Sequence, residues 1–310
     1  MSGDVQRAET ILRAACGDRV RTRLRLAPLT SFRIGGPAAL YLEPVSDGDL
    51  VAAAEAIREA RIEFFVLGKG SNVLIADDGF PGLVVRLGRS FRWAGREGDR
   101  LSSGGAMPLP ALAGVALSHG LSGLEFGVAI PGSLGGAVRM NAGAHGGEMA
   151  SVLETIDVFD LARGGRRCIP ASEAAFSYRR SELPPGGVVV AATMALSPAE
   201  PSAIRAMMGE AREWRRRTQP LAEPNCGSVF KNPPGDHAAR LVDEAGGKGL
   251  RVGGAAVSAK HANFIVTSEG ARAADVVELI RAVQALVATH SGVRLEPEVH
   301  LVGNFDLAPR

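Results

Sequence analysis

The stretch Gly123–Gly147 reads GLEFGVAIPGSLGGAVRMNAGAHGG. It is too rich in glycine for a helix and too apolar for a linker. Two tight groups, Pro131-Gly132-Ser133-Leu134-Gly135-Gly136-Ala137 and Asn141-Ala142-Gly143, bare the backbone. Glycine has no Cβ, so amide groups there can approach phosphate oxygens closely. The stretch reads as a cradle for a large ligand, although the same residues also suit a set of turns in a sheet domain.

A second glycine group, Gly68-Lys69-Gly70-Ser71-Asn72, lies between two apolar strands expected at Glu63–Leu67 and Val73–Ala76. It is not a triphosphate loop, because GxxxxGK[ST] is absent. Nor does it open a helix as a dinucleotide GxGxxG does, since Val73-Leu74-Ile75 continues as a strand. Neither of the two common nucleotide folds is supported.

The chain has 310 residues, 46% hydrophobic and 22% charged, as expected of a soluble protein of one to three domains. A net charge of +2 and 5% aromatic residues argue against a nucleic-acid binder. Cys16, Cys168 and Cys226 are scattered, with no metal-ligand spacing, so a reducing cytoplasm is expected. The start, MSGDVQRAET, lacks the basic and apolar regions of a signal peptide. No run approaches about 18 apolar residues, so no membrane insertion is expected. The six histidines form no HxH or HxxxH pair, and no metal is expected. Lysine is scarce beside arginine: only Lys69, Lys231, Lys248 and Lys260 occur, each in a motif-like context. A compact cation at a narrow site and simple surface exposure both account for such survivors.

Outward from the cradle, helices are expected at 4–16, Leu50–Ala60 (capped by Asp47 or Asp49), Pro110–His119, Ala203–Arg217, Ala238–Ala245 and Ala273–His290. Strands are expected at Ala38–Pro44, Leu83–Leu87, within 91–104, and at Val152–Phe159, Gly187–Leu196, Ala262–Thr267 and Val293–Val302. Three places suit chemistry. Tyr178-Arg179-Arg180-Ser181 can hold an anion or stabilise an enolate, or simply form surface ion pairs. Ser228, after Gly227, is a possible proton donor or only a turn serine; it does not match the GxSxG nucleophile motif. Glu296 and Glu298 flank Pro297, so their carboxylates either meet a cleft or guard a strand edge.

Seven motifs occur in order along nearly the whole chain: TSFRIGGPA from Thr30, VLGKGSNVLIAD from Val66, the Gly123–Gly146 cradle, FSYRRS from Phe176, CGSVFKNP from Cys226, SAKHANFIV from Ser258 and LEPEVHLVG from Leu295. Together they closely resemble the UDP-N-acetylenolpyruvoylglucosamine reductase (MurB) family of peptidoglycan synthesis. The resemblance implies an α+β chain: an FAD-binding fold of the vanillyl-alcohol-oxidase type, with two α+β subdomains, then a C-terminal α+β substrate-binding domain. The implied boundaries are 1–88 (N-terminal helix and first FAD subdomain), 89–197 (second FAD subdomain), 198–298 (substrate domain) and 299–310 (a strand and tail returning to the first subdomain).

The implied reaction is NADPH-dependent reduction of an enolpyruvyl UDP-sugar through non-covalent FAD. By the same resemblance Arg179 stabilises the enolate, with Glu298 close by, and Ser228 delivers the proton; the three must converge through the fold. FAD falls to Gly68, Lys69, Gly70, Ser71, Asn72, Val73, Ile130, Pro131, Gly132, Ser133, Gly135, Gly136, Ala137, Asn141 and Gly143. The UDP-sugar falls to Tyr178, Lys231, Asn232, Lys260 and Arg217, the last of the cluster Arg215–Arg217. The short path from Tyr178 to Val188 implies the family type without a tyrosine-bearing lid insertion. The expected partners are the UDP-sugar and NADPH alone, with the chain a cytoplasmic monomer. The rivals are another FAD oxidoreductase of the same superfold, such as an alcohol oxidase, and a non-catalytic nucleotide-sugar binder.

Overall fold

Local capping and packing explain why the first helices form where they do. In a computed structural model, which describes residues 3–305, the helix Val5–Cys16 starts at Asp4, whose carboxylate accepts the Arg7 N–H at 2.9 Å. The helix Asp47–Ala60 is capped by Ser46, not by Asp47 or Asp49 as the sequence suggested. Ser46 is extended and its hydroxyl reaches the Asp49 N–H. Asp49 turns inward, where its carboxylate takes the Val45 N–H and the Arg19 guanidinium. That helix buries Ala52, Ala53, Ala54, Ala56 and Ala60, a small-residue face suited to close packing.

The chain divides into two units. The first comprises the residues up to Arg23, Ala39–Lys69 and Gly82–Arg215. It contains most of a four-stranded sheet in the order Val20–Arg25, Pro37–Leu42, Phe80–Val85, Phe64–Val66. The last pair is parallel, the chain between its strands passing through the Gly68–Asn72 loop and the strand Val73–Ile75. A five-stranded antiparallel sheet follows, ordered Gly165–Pro170, Leu153–Asp160, Gly187–Ala195, Arg100–Gly104, Ala94–Glu97. The helix Leu109–Ser118 buries Leu109 and Leu112 in the core that also holds Ile156, Val189 and Met194.

The second unit comprises Leu24–Ala38, Gly70–Pro81 and the chain from Arg216 onward. Its four-stranded sheet runs Asn225–Ser228, Phe264–Thr267, Ala255–Val257, Arg251–Val252. The helix Ala273–Ser291 buries Val276, Leu279, Ile280, Val283 and Val287 in its core. Phe32, Ile34 and Leu74 enter the same core, and Thr267 Oγ1 donates to the Phe32 carbonyl at 2.9 Å. His300–Val302 pairs in parallel with Val73–Ile75, so the end of the described chain returns to the first motif strand. Among the described residues no helix is long and apolar enough to cross a membrane. The tail 306–310 and the first two residues lie outside the described residues.

Several expectations change. The glycine-rich stretch is not free of helix: it holds a 3₁₀ turn, Glu125–Ala129, and a short α-helix, Leu134–Arg139. Packing overrides propensity there, because a Cβ on Gly135 would stand 3.0 Å from the Val189 carbonyl oxygen of the underlying strand. The strand expected over Val293–Val302 shrinks to His300–Val302, with Pro297 making only an isolated bridge to Phe230. The strand expected from Ala262 begins at Phe264, since the chain turns at 261–263 and the Phe264 N–H bonds the His261 carbonyl. Val20–Arg25 and Gly165–Pro170 are strands whose arginine-rich edge faces hid any alternation.

Candidate active site

The loop Gly68–Asn72 connects two strands and donates nothing to either. None of its five main-chain N–H groups finds an acceptor among the described residues, although Gly70 itself is buried. Buried amides without partners are rare unless a ligand satisfies them. Gly70 lies at φ +67, and a Cβ there would stand 2.2 Å from the Leu29 carbonyl oxygen, so no other residue fits. The amides of Gly132 and Ser133 likewise take no partner among the described residues. Such rows of unsatisfied N–H groups suit phosphate oxygens, the chemistry a dinucleotide presents. Asn72 is otherwise engaged: its Nδ2 donates to the Glu298 carbonyl at 3.1 Å, and its own carbonyl takes the His300 N–H. Lys69 is exposed, while Ser71 and Val73 are half-buried.

In the first unit, Tyr178 and Arg179 sit on a tight loop. Ser177 and Arg180 exchange main-chain hydrogen bonds of 3.0 and 3.1 Å across it, and Arg179 adopts φ +58. Its Nη2 donates to the Gly143 carbonyl at 3.0 Å, with the guanidinium carbon 4.9 Å from the Tyr178 ring centre. Tyr178 is 48% exposed. Asn141, at φ +41 and 1% exposed, ties the loop down. Its Nδ2 donates to the Ser177 carbonyl at 3.0 Å and its Oδ1 accepts the Ala150 N–H at 2.9 Å. Arg139 completes the anchorage. Its buried guanidinium donates to the Leu183, Pro184 and Gly187 carbonyls, while its own carbonyl accepts from Ser181 Oγ. Burial holds its pKa below the ordinary arginine value. The rest of the cradle, Ile130, Pro131, Gly136 and Ala137, surrounds the start of the helix capped by Ser133.

In the second unit, Ser228, Lys231 and Glu298 lie on adjoining segments. The Glu298 N–H bonds the Val229 carbonyl at 2.7 Å, and the Lys231 N–H bonds the Glu296 carbonyl at 2.9 Å. Ser228 is half-buried, and its hydroxyl has no hydrogen-bond partner among the described residues. The two glutamates have different surroundings. Glu296 is exposed and its Oε1 pairs with Lys231 Nζ at 2.5 Å. Glu298 is half-buried beside Cys226, whose thiol is pushed far up by burial and then by the Glu298 charge. Lys231 therefore serves Glu296. Lys260 donates Nζ to the Arg216 carbonyl, the Asn232 side-chain oxygen takes the Ala238 N–H, and Arg217 is exposed. In the same motif as Lys260, Asn263 was passed over by the sequence reading, yet its buried side chain grips both main-chain groups of Phe230. The HANF tetrapeptide marks its place but not its partner.

Comparison with known proteins fits this geometry. Residues 38–167 match the FAD binding domain family, and residues 219–302 match the UDP-N-acetylenolpyruvoylglucosamine reductase C-terminal domain. The fold and the phosphate-ready loops thus define an FAD-binding flavoprotein. A UDP-N-acetylenolpyruvoylglucosamine reductase of Anaeromyxobacter dehalogenans is 43% identical over 297 residues, covering 96% of this chain and 89% of that protein. One from Heliobacterium modesticaldum is 46% identical over 277 residues, covering 89% and 88%. The crystal structure of UDP-N-acetylenolpyruvylglucosamine reductase (MurB) from Thermus caldophilus superposes with a TM-score of 0.82 at 40% identity, covering 92% of this chain and 99% of that one. The chain belongs to the UDP-N-acetylenolpyruvoylglucosamine reductase family.

Proposed function

We propose that the chain reduces UDP-N-acetylglucosamine enolpyruvate to UDP-N-acetylmuramate, a step of peptidoglycan precursor synthesis, with NADPH as reductant and non-covalent FAD as carrier. The observation that carries the reading is the row of main-chain N–H groups without partners along Gly68–Asn72, in a chain of this family. Gly68, Lys69, Gly70, Ser71, Asn72 and Val73, with Ile130–Ala137, hold the FAD; Gly143 lines the ring side, and Asn141, 1% exposed, supports it by holding the Ser177 loop. Bound FAD, reduced by NADPH, supplies the hydride that adds to the enolpyruvyl double bond.

Hydride addition leaves negative charge on the carbon beside the carboxylate, and that carbon then needs a proton. Arg179 stabilises the charge through its guanidinium, preset by the Gly143 carbonyl and the Tyr178 ring. Ser228 gives its Oγ proton to the carbon and recovers one from solvent. A hydroxyl is a weak acid, so the step needs a site where water is excluded and charge is fixed in place. Glu298, half-buried on the segment bonded to Val229, next to Ser228, orders the reacting end. Tyr178, Arg217, Lys231, Asn232 and Lys260 bind the UDP-sugar. The segments 1–88 and 89–197 form the FAD subdomains, 198–298 the substrate domain and 299–310 the returning end, and the enzyme acts as a cytoplasmic monomer.

Anaerobic spectroscopy tests the reading. The purified protein should be yellow, lose its flavin colour with NADPH, and recover it on adding the enolpyruvyl substrate. Recovery that depends on oxygen and ignores the substrate would point to an oxidase instead. A colourless protein that binds the UDP-sugar would point to a non-catalytic binder.

A further inference from the structure

Between Ser228 and Lys231 the chain passes through a position where a sheet should fail. Asn225–Ser228 is paired antiparallel with Phe264–Thr267, Ser228 lying opposite Phe264. One step further the Val229 N–H still bonds the Asn263 carbonyl at 2.9 Å. Beyond that the partner strand is gone, because 261–263 turn away. Phe230 is 2% exposed, so its N–H and C=O would both be buried without partners. The Asn263 side chain fills the gap. Its Oδ1 accepts the Phe230 N–H at 2.9 Å and its Nδ2 donates to the Phe230 carbonyl at 2.8 Å. The carboxamide thus stands in for the missing peptide and extends the ladder by one rung.

The opposite edge of Val229–Lys231 is held by the 296–298 segment through the Glu298-to-Val229 and Lys231-to-Glu296 hydrogen bonds. Asn72 fixes that segment in turn through the Glu298 carbonyl. Asn263 is therefore the clamp on one side of the segment Val229–Lys231, with Glu298 carried on the other. At 4% exposure Asn263 is closed to substrate.

We propose that Asn263 is a positioning residue for proton delivery: its carboxamide sets the register of Val229–Lys231 and so the placement of the Ser228 hydroxyl beside Glu298. The inference rests on the proposed role of Ser228 as proton donor. A displacement on the order of 1 Å at a reacting group can cost about 10²-fold in rate, so loss of the amide acts on the protonation half-reaction rather than on flavin reduction.

The test compares Asn263→Ala, Ser228→Ala and the double variant as holoenzymes, below their melting temperatures. The expected results for Asn263→Ala are flavin reduction by NADPH within about twofold of wild type and substrate-driven flavin reoxidation about 10–100-fold slower. Hydrogen exchange over residues 225–232 should rise without a matching rise across the Ala273–Ser291 helix. In the Ser228→Ala background, adding Asn263→Ala should change reoxidation little, because the residue acts through Ser228. Wild-type reoxidation in Asn263→Ala, or full additivity with Ser228→Ala, overturns the proposal. Wild-type reoxidation in Ser228→Ala alone overturns the proton-donor reading itself, a distinct failure. If Asn263→Ala does not accumulate folded, Asn263→Asp, which keeps the acceptor for the Phe230 N–H, takes its place with the same criteria.

Discussion

Arg179 in the first unit and Ser228 in the second each depend on a buried asparagine, but the two amides work differently. Asn141 bridges two separate loops, accepting from Ala150 and donating to Ser177. Asn263 gives both ends to one residue, Phe230, and prolongs a strand. The first is a staple between loops; the second is a surrogate peptide within a sheet. Cutting a staple frees a loop that Arg139 and Ser181 still hold nearby. Removing the surrogate leaves the Phe230 main-chain groups without partners and that edge of the segment held only by the Val229 N–H bond to the Asn263 carbonyl. A loop-borne cation needs its charge in the right region, whereas a proton donor must sit within hydrogen-bond reach of one carbon. The stiffer support lies under the residue with the tighter geometric demand.

The comparison breaks first at the chemistry. Ser228→Ala removes the proton donor and nothing else, since the hydroxyl holds no partner among the described residues. Flavin reduction by NADPH should survive, and substrate-driven reoxidation should fall about 10²–10⁴-fold, the usual range for a lost general acid. Stopped-flow absorbance of the two half-reactions reads both numbers. Equal losses in both would remove Ser228 from the protonation step.

The next test concerns glycine in each unit. Gly70→Ala places a methyl 2.2 Å from the Leu29 carbonyl oxygen at φ +67. Overpacking and the left-handed conformation together should cost at least about 2 kcal/mol. FAD retention on gel filtration should fall with it, because the Gly68–Asn72 amides lose their arrangement. Gly146→Ala, at φ +82 with open space around its Cβ, bears only the conformational cost, about 1 kcal/mol. Urea denaturation curves that rank the two the other way would mean the loop glycine is not held by packing.

Asn141→Ala then sharpens the staple. It strands the half-buried Ala150 N–H, while the Ser177 carbonyl keeps the Arg180 N–H, which should cost about 1 kcal/mol in denaturant unfolding. Affinity for the UDP-sugar should weaken as the Tyr178–Arg179 loop loosens. A stability loss with unchanged substrate affinity would mean that Arg139 alone secures the loop.

How much of this was legible beforehand follows from where each signal resides. Periodicity marked the long helix Ala273–Ser291 and the buried strand Gly187–Ala195, because single-faced burial is written along the chain. Glycine marked the loop at Gly68–Gly70, because a bare backbone is a local property. It misled at Gly135, where closeness to Val189, distant in sequence, lets a helix form despite poor propensity. The family motifs marked Ser228 and Glu298 without saying that Glu296, not Glu298, takes Lys231. Asn263 stayed unnoticed because a side chain that imitates a peptide can be recognised only once its partner strand is seen to leave. The strand Val20–Arg25 was missed because its exposed arginines carry no alternation.

The smallest expected effect lies next to the surrogate peptide. His261 Nδ1 accepts the Asn263 N–H at 3.2 Å, and the ring packs 4.6 Å from Phe264. Protonating Nδ1 would turn that acceptor into a donor and lose the bond. Burial first, and the Lys248 charge second, hold the imidazole below its usual pKa of 6.5. The folded protein therefore binds this proton less readily than the unfolded chain does. Above about pH 6.5 both states are neutral and the stability is fully present. As the pH falls from there through the lowered folded value, the unfolded chain takes up the proton first and stability declines. His261→Gln removes the titrating group and should flatten that part of the curve. Urea midpoints of both proteins at about pH 7.5 and 5.5 bracket the ordinary histidine range. His300 is shifted the same way and remains in the variant, so the difference between the two drops isolates His261. Identical drops would mean that the turn at 261–263, and with it the Asn263 clamp, does not depend on the charge of this histidine.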